Sequence, residues 1–132
     1  MSHFEWIGLA ADIATVIGLA YAVFTYVKTN NRERDVLTYD KIDELMEANA
    51  ALVKKDISKD YMDFVRFTRK VDRFATLYNG KMITQKIVRE RAGKFLLRTY
   101  EERLAPVIEQ QRSQFQRSDY FNGIENMIAK LR

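Results

Sequence analysis

Twenty-two residues near the N-terminus, Trp6 to Val27, contain one charged side chain, Asp12. No other feature limits the fold as sharply, because a run this apolar needs protein or lipid to cover it. As a helix rising about 1.5 Å per residue it reaches about 33 Å, against a hydrocarbon core of about 30 Å. Phe4 and Trp6 stand at one end, Phe24 and Tyr26 at the other, where amphipathic rings settle at the headgroups. A cleaved secretory leader needs positive charge before the apolar run, and residues 1–6 carry none. The segment therefore reads as a single transmembrane helix. Lys28, Arg32 and Arg34 follow it and no Lys or Arg precedes it. The positive-inside bias places the N-terminus outside and the rest of the chain in the cytoplasm.

Helical spacing makes the span more specific. Gly8, Ala11, Thr15, Gly18, Ala22 and Thr25 recur at alternating steps of three and four, a stripe of small residues on one face. Ala10, Ala14, Gly18 and Ala22 form a second such series beside it. In lipid, helices associate through close backbone approach, so small stripes mark packing faces and predict self-association. Asp12 borders the stripe, roughly 7 Å by helical rise from the middle of the span. A carboxylate at the bilayer centre costs about 2.5–3.5 kcal/mol on insertion scales, and less at this depth. Three arrangements relieve that cost: a water-filled lumen between copies, a neutral side chain in a packed interface, or snorkelling to the outer headgroups. Asp12 is accordingly a candidate interface or lumen residue.

The chain has 132 residues, and once the span is set aside about 100 remain, enough for one modest core. There is no Cys, the one His is His3, and five Gly and one Pro leave little material for a turn-rich β protein. The expected fold is all-α: an N-terminal transmembrane helix with its flanks over residues 1–30, continuing into a small cytoplasmic helical bundle over 31–132. Between Gly18 and Gly80 there is neither Gly nor Pro, so the first helix is expected to run on past Lys28. Tyr39, Ile42, Leu45, Met46, Asn49 and Leu52 keep its spacing, and Lys54–Lys55–Asp56 marks its end. A helix over about 60–78, capped by Ser58 or Asp60, turns Met62, Val65, Phe67, Val71, Phe74, Ala75 and Leu77 to the core. Asn79–Gly80 reads as a turn or left-handed stop. Thr84 opens the next helix, and Pro106 kinks it or starts another. Ser118 or Asp119 is expected to cap a last short helix bearing Tyr120, Phe121, Ile124, Met127, Ile128 and Leu131.

Charge is divided unevenly. Residues 29–63 hold six bases and nine acids, whereas residues 66–117 hold thirteen bases and five acids. Arg66, Arg69, Lys70 and Arg73 share a helical face, and Arg89, Arg91, Lys94 and Arg98 add a second basic surface. Such a field suits RNA, anionic headgroups or an acidic partner. It equally suits a solvated face complemented by the acidic helix 40–47 of the same or a neighbouring subunit. Catalysis is not expected. The cytoplasmic part has no His or Cys, the glycines at 80, 93 and 123 are isolated rather than gathered in a phosphate loop, and adjacent Glu101 and Glu102 face different ways. Asp40, Asp43, Glu44 and Glu47 read as a charged helix face before they read as a cation site. No metal and no cofactor are expected.

The order of features, a single span followed by NNRERDVLTYDKI, FVRFTRKVDRFATLYNGKMI and LLRTYEERLAPVIEQQR, resembles a family of small bacterial single-span membrane proteins with an uncharacterised helical domain. Arg32 and Arg34, Phe74 to Gly80, and Tyr100 to Arg112 occupy the places of its motifs. The layout is also similar to that of the membrane accessories of type VI CRISPR systems. That resemblance implies an inner-membrane homo-oligomer forming a pore, acting with a defence-system partner against phage. Some such relatives carry an Arg-x4-6-His nuclease motif. Here neither RERAGK (89–94) nor RTYEER (98–103) supplies the His. The expectation is a non-enzymatic, self-assembling membrane protein. The alternative is a membrane-tethered adaptor whose basic domain binds RNA, anionic lipid or protein.

Overall fold

The computed structural model describes residues 3–132, with side chains from Glu5 onward, and every regular element in it is helical. Phe4, expected at the outer aromatic belt, lies outside the described side chains. The helices are α1 (His3–Ala50), α2 (Tyr61–Asn79), α3 (Gln85–Thr99), α4 (Ala105–Phe115) and α5 (Asn122–Leu131). A π-helical segment, Tyr100–Leu104, joins α3 to α4. The chain divides into two compact units, Met1–Glu33 and Arg34–Arg132.

The second unit is built round one apolar core. Ile42, Leu45 and Leu52 meet Phe64, Val65, Phe67, Val71, Phe74 and Tyr78 of α2. Val88 and Leu96 of α3, Val107 and Ile108 of α4, and Ile124, Met127 and Ile128 of α5 complete it. Each such side chain contributes about 1.5–3 kcal/mol by leaving water. α2 packs against α5 and α4, and α3 packs against α5. The inward face of α2 runs through 64, 67, 71, 74 and 78, which turns Met62 outward, 54% exposed, and leaves Leu77 half-buried. Phe64 and Tyr78, not among the expected core residues, are buried, and Tyr39 is exposed.

Polar groups hold the second half of α1 to this core. The buried Thr38 hydroxyl donates to the Arg34 carbonyl at 2.7 Å and accepts the Thr84 backbone N–H at 2.8 Å. Thr84 occupies the cap position of α3, but its hydroxyl donates to Asp35 and accepts no N–H from the first turn of α3. The last turn of α1 has no base of its own. Arg103, from the π-helical segment, supplies one, donating to the Asn49 carbonyl at 3.2 Å and to the Asn49 side-chain oxygen.

The connections differ from expectation in three places. Asp60 precedes α2, but its carboxylate turns back to accept the Asp56 N–H, and Asp56 accepts from the Ser58 N–H and hydroxyl. α2 ends in the expected turn, but the left-handed residue there is Lys81 (φ 58°), while Gly80 is at φ −83°. The Met82 N–H closes that end on the Leu77 carbonyl at 2.9 Å. A Cβ on Gly80 would sit 3.2 Å from the Thr76 carbonyl oxygen, a close approach that glycine avoids. Ser118 and Asp119 do not cap α5; the cap position is Phe121, itself left-handed at φ 63°. Arg112 fixes that corner. It donates to the Tyr120 carbonyl and the Asn122 side chain, and pairs with Glu125 at 2.7 Å.

Pro106 lies in the first turn of α4, where its missing N–H breaks no bond within the helix. The preceding π turn, closed by the Ala105 N–H on the Tyr100 carbonyl, carries the chain into it without a break. Thr38→Val removes an acceptor and leaves the half-buried Thr84 N–H without its partner. Thermal unfolding of the full chain is expected to show a loss of about 1–3 kcal/mol in the second unit.

Candidate functional site

In the first unit every described side chain, Glu5 to Glu33, is exposed. α1 is long and apolar enough to cross a membrane by length and composition, and none of its apolar window is buried. Every large apolar side chain from Trp6 to Val27 is exposed, Tyr21 to 72% and Phe24 to 64%. The small stripe is open as well: a Cβ built on Gly8 or Gly18 meets nothing within 4 Å. Ala11, Asp12, Thr15, Ala22 and Thr25 are exposed along the same helix. The Thr15 hydroxyl donates to the Ala11 carbonyl at 3.0 Å, so it needs no partner outside its own helix. Asp12 makes no hydrogen bond or ion pair among the described residues.

In the second unit the expected basic residues fall on two helices. Arg66, Arg69, Lys70 and Arg73 all point outward from α2, and Arg89, Arg91, Lys94 and Arg98 outward from α3. Their local partners differ. Arg66 pairs with Asp63 at 3.3 Å, Arg98 pairs with Glu102 at 3.0 Å, and Arg91 lies over the Tyr39 ring at 5.9 Å. Arg69, Lys70, Arg73, Arg89 and Lys94 have no ion pair or hydrogen-bond partner among the described residues. Exposed ion pairs of this kind contribute about 0–1 kcal/mol each, so the free bases are the larger electrostatic feature.

Packing of α1 beside α2 creates a groove that spacing alone does not reveal. Its volume is about 510 Å³, within the range of small-ligand sites. Lys41, Glu44 and Glu47 rim it from α1, Lys70 and Arg73 from α2, over a floor that includes Phe74. Lys41 and Glu44 pair across one turn at 3.4 Å. Opposite charges thus face one another across an apolar floor. The signal in the sequence was the acidic 40–47 and basic 66–73 segments, but only the tertiary fold brings their edges together. Among the described residues no three His, Asp or Glu side chains gather as metal ligands.

Three carboxylates are shifted. The Lys55 hydrogen bond holds Asp63 below the usual carboxylate range, opposed by some burial and helped by the charges of Lys55 and Arg66. Hydrogen bonds from Ser58 lower Asp56. Burial raises Asp72, whose carboxylate sits against Gly123 at the start of α5. For Asp63 the folded state binds a proton less readily than the unfolded chain. The stability it adds is therefore present above the ordinary Asp pKa of 3.8 and lost as pH falls through its lowered value. Asp63→Asn is expected to flatten the acid limb of a pH–stability curve and leave the Asp72 contribution in place. No family model matches this chain, and neither a curated protein nor a solved structure does.

Proposed function

We propose that this chain is a single-span membrane protein that self-associates through its N-terminal helix and forms an oligomer able to perturb the bilayer. The carrying observation is the exposure of the whole Trp6–Val27 stretch, small stripe included, beside a second unit with a complete core of its own. Twelve large apolar side chains left in water oppose solubility, whereas lipid covers them without a protein partner. The stripe Gly8, Ala11, Thr15, Gly18, Ala22 and Thr25 then lets copies approach closely. Asp12, at the edge of that stripe, is the residue that copies would gather round a hydrated lumen. Lys28, Arg32 and Arg34 favour a cytoplasmic second unit. The resemblance to membrane accessories of type VI CRISPR systems supports a place in phage defence.

A second reading, a tethered adaptor, draws on the unpaired bases of α2 and α3, which suit an anionic ligand. It predicts salt-sensitive binding of RNA or anionic vesicles by the full chain, with no change on Gly18→Leu.

Two substitutions test the first reading. Gly18→Leu fills the stripe, and mass photometry of detergent-purified protein is expected to show a smaller particle. Wild-type protein that runs strictly as a monomer at every concentration overturns the proposal. Asp12→Asn is expected to alter dye or ion leakage from reconstituted vesicles. Unchanged leakage removes the lumen role and leaves tethering.

A further inference from the structure

Two helix faces in the second unit carry opposite charge in the same spacing. On α1, Val36, Asp40, Asp43 and Glu47 follow one another by steps of four, three and four. On α2, Met62, Arg66, Arg69 and Arg73 do the same. Such steps keep side chains on one helical face, so each set is a ridge with one apolar end and three like charges. The sequence of steps is the same read from either end. Each ridge spans about 16 Å by helical rise.

Both ridges face away from the core. Ile42 and Leu45 point inward from α1, Val71 and Phe74 inward from α2, and all eight ridge residues are exposed. The apolar ends are among the more exposed large apolar side chains of this unit, Val36 at 56% and Met62 at 54%. Within a chain no ion pair joins the two ridges, although Glu47 and Arg73 rim the same groove. Asp40, Asp43, Glu47, Arg69 and Arg73 have no ion pair or hydrogen-bonding side-chain partner among the described residues. Arg66 holds only Asp63, one turn away on its own helix. Three like charges along two turns repel, and an opposite ridge of the same spacing relieves both sets at once.

We infer that the acidic ridge of α1 in one copy docks on the basic ridge of α2 in a second copy. Carboxylates of Asp40, Asp43 and Glu47 meet guanidinium groups of Arg66, Arg69 and Arg73, a pairing that Arg makes in a two-pronged geometry. The occupant is a second copy because this chain itself carries both halves of the match. The inference rests on the proposed self-association and names the surface by which the second units meet. Lys70, which rims the groove, borders the docked ridge.

Charge exchange in the full chain tests it. One variant carries Asp40→Lys, Asp43→Lys and Glu47→Lys; the other carries Arg66→Glu, Arg69→Glu and Arg73→Glu. Circular dichroism checks that each keeps its helix content, as expected for exposed sites. By mass photometry each variant alone is expected to give smaller particles than wild type, and an equimolar mixture to restore the wild-type size. Either variant assembling like wild type overturns the inference, as does a mixture that restores nothing. If wild type and both variants assemble alike while Gly18→Leu does not, docking falls and span-driven association stands. If wild type is monomeric, both fall.

Discussion

The buried hydroxyl of Thr38 is the joint on which the second unit depends. It satisfies two backbone groups at once, accepting from the Thr84 N–H and donating to the Arg34 carbonyl. That bond ties α1 to the start of α3, where Thr84 also binds Asp35. At the other end of the same stretch, Arg103 holds the Asn49 carbonyl and side chain near the end of α1. With both ends fixed, only one rotation of α1 about its axis brings Thr38, Ile42 and Leu45 inward together. Neutral and charge-assisted hydrogen bonds of this sort are modest in net energy. Their importance is directional, because apolar contacts alone tolerate a range of helix rotations.

Once that rotation is set, the outward faces follow. Asp40, Asp43 and Glu47 lie opposite the buried residues of α1, just as Arg66, Arg69 and Arg73 lie opposite Val71 and Phe74 on α2. The groove between them inherits acidic groups on one wall and basic groups on the other. Proposed docking between copies and packing within one copy are therefore consequences of the same helical phase. The N-terminal stripe works by a different force: in lipid, small side chains gain from close packing, whereas the charged ridges act in water and weaken with salt. An assembly using both would have two contacts that respond oppositely to detergent and to ionic strength.

Much of the helical layout was legible because apolar spacing and the scarcity of Gly and Pro act locally. The long first helix, the helix after Asp60 and the new start at Pro106 all follow from such cues. Errors gathered where tertiary contacts compete with local chemistry. Met62 lies about half a turn out of phase with Val71, and only the position of α5 and α4 decides which side of α2 is inside. Asp60 and Thr84 have capping side chains by type, yet each is taken by another partner, Asp56 or Asp35. No local signal marks the start of α5, because Arg112, ten residues upstream of Asn122, holds that corner in place of a Ser or Asp side chain. Left-handed Lys81 and Phe121 carry no residue-type signal, since both are ordinary L side chains held by the surrounding turn.

By itself the sequence determined that the chain is helical, that its first helix has an apolar stretch long enough to cross a bilayer, and that charge is segregated along it. These are properties of neighbours three and four apart, which a helix brings together wherever it lies. Tertiary structure decided which charges remain unpaired, that an acidic and a basic helix border one groove, and that Tyr78 rather than Met62 enters the core. Those outcomes depend on contacts between residues far apart in the chain, such as Thr38 with Thr84 and Asn49 with Arg103. No local pattern specifies them, because the energy that selects them exists only once the helices have met.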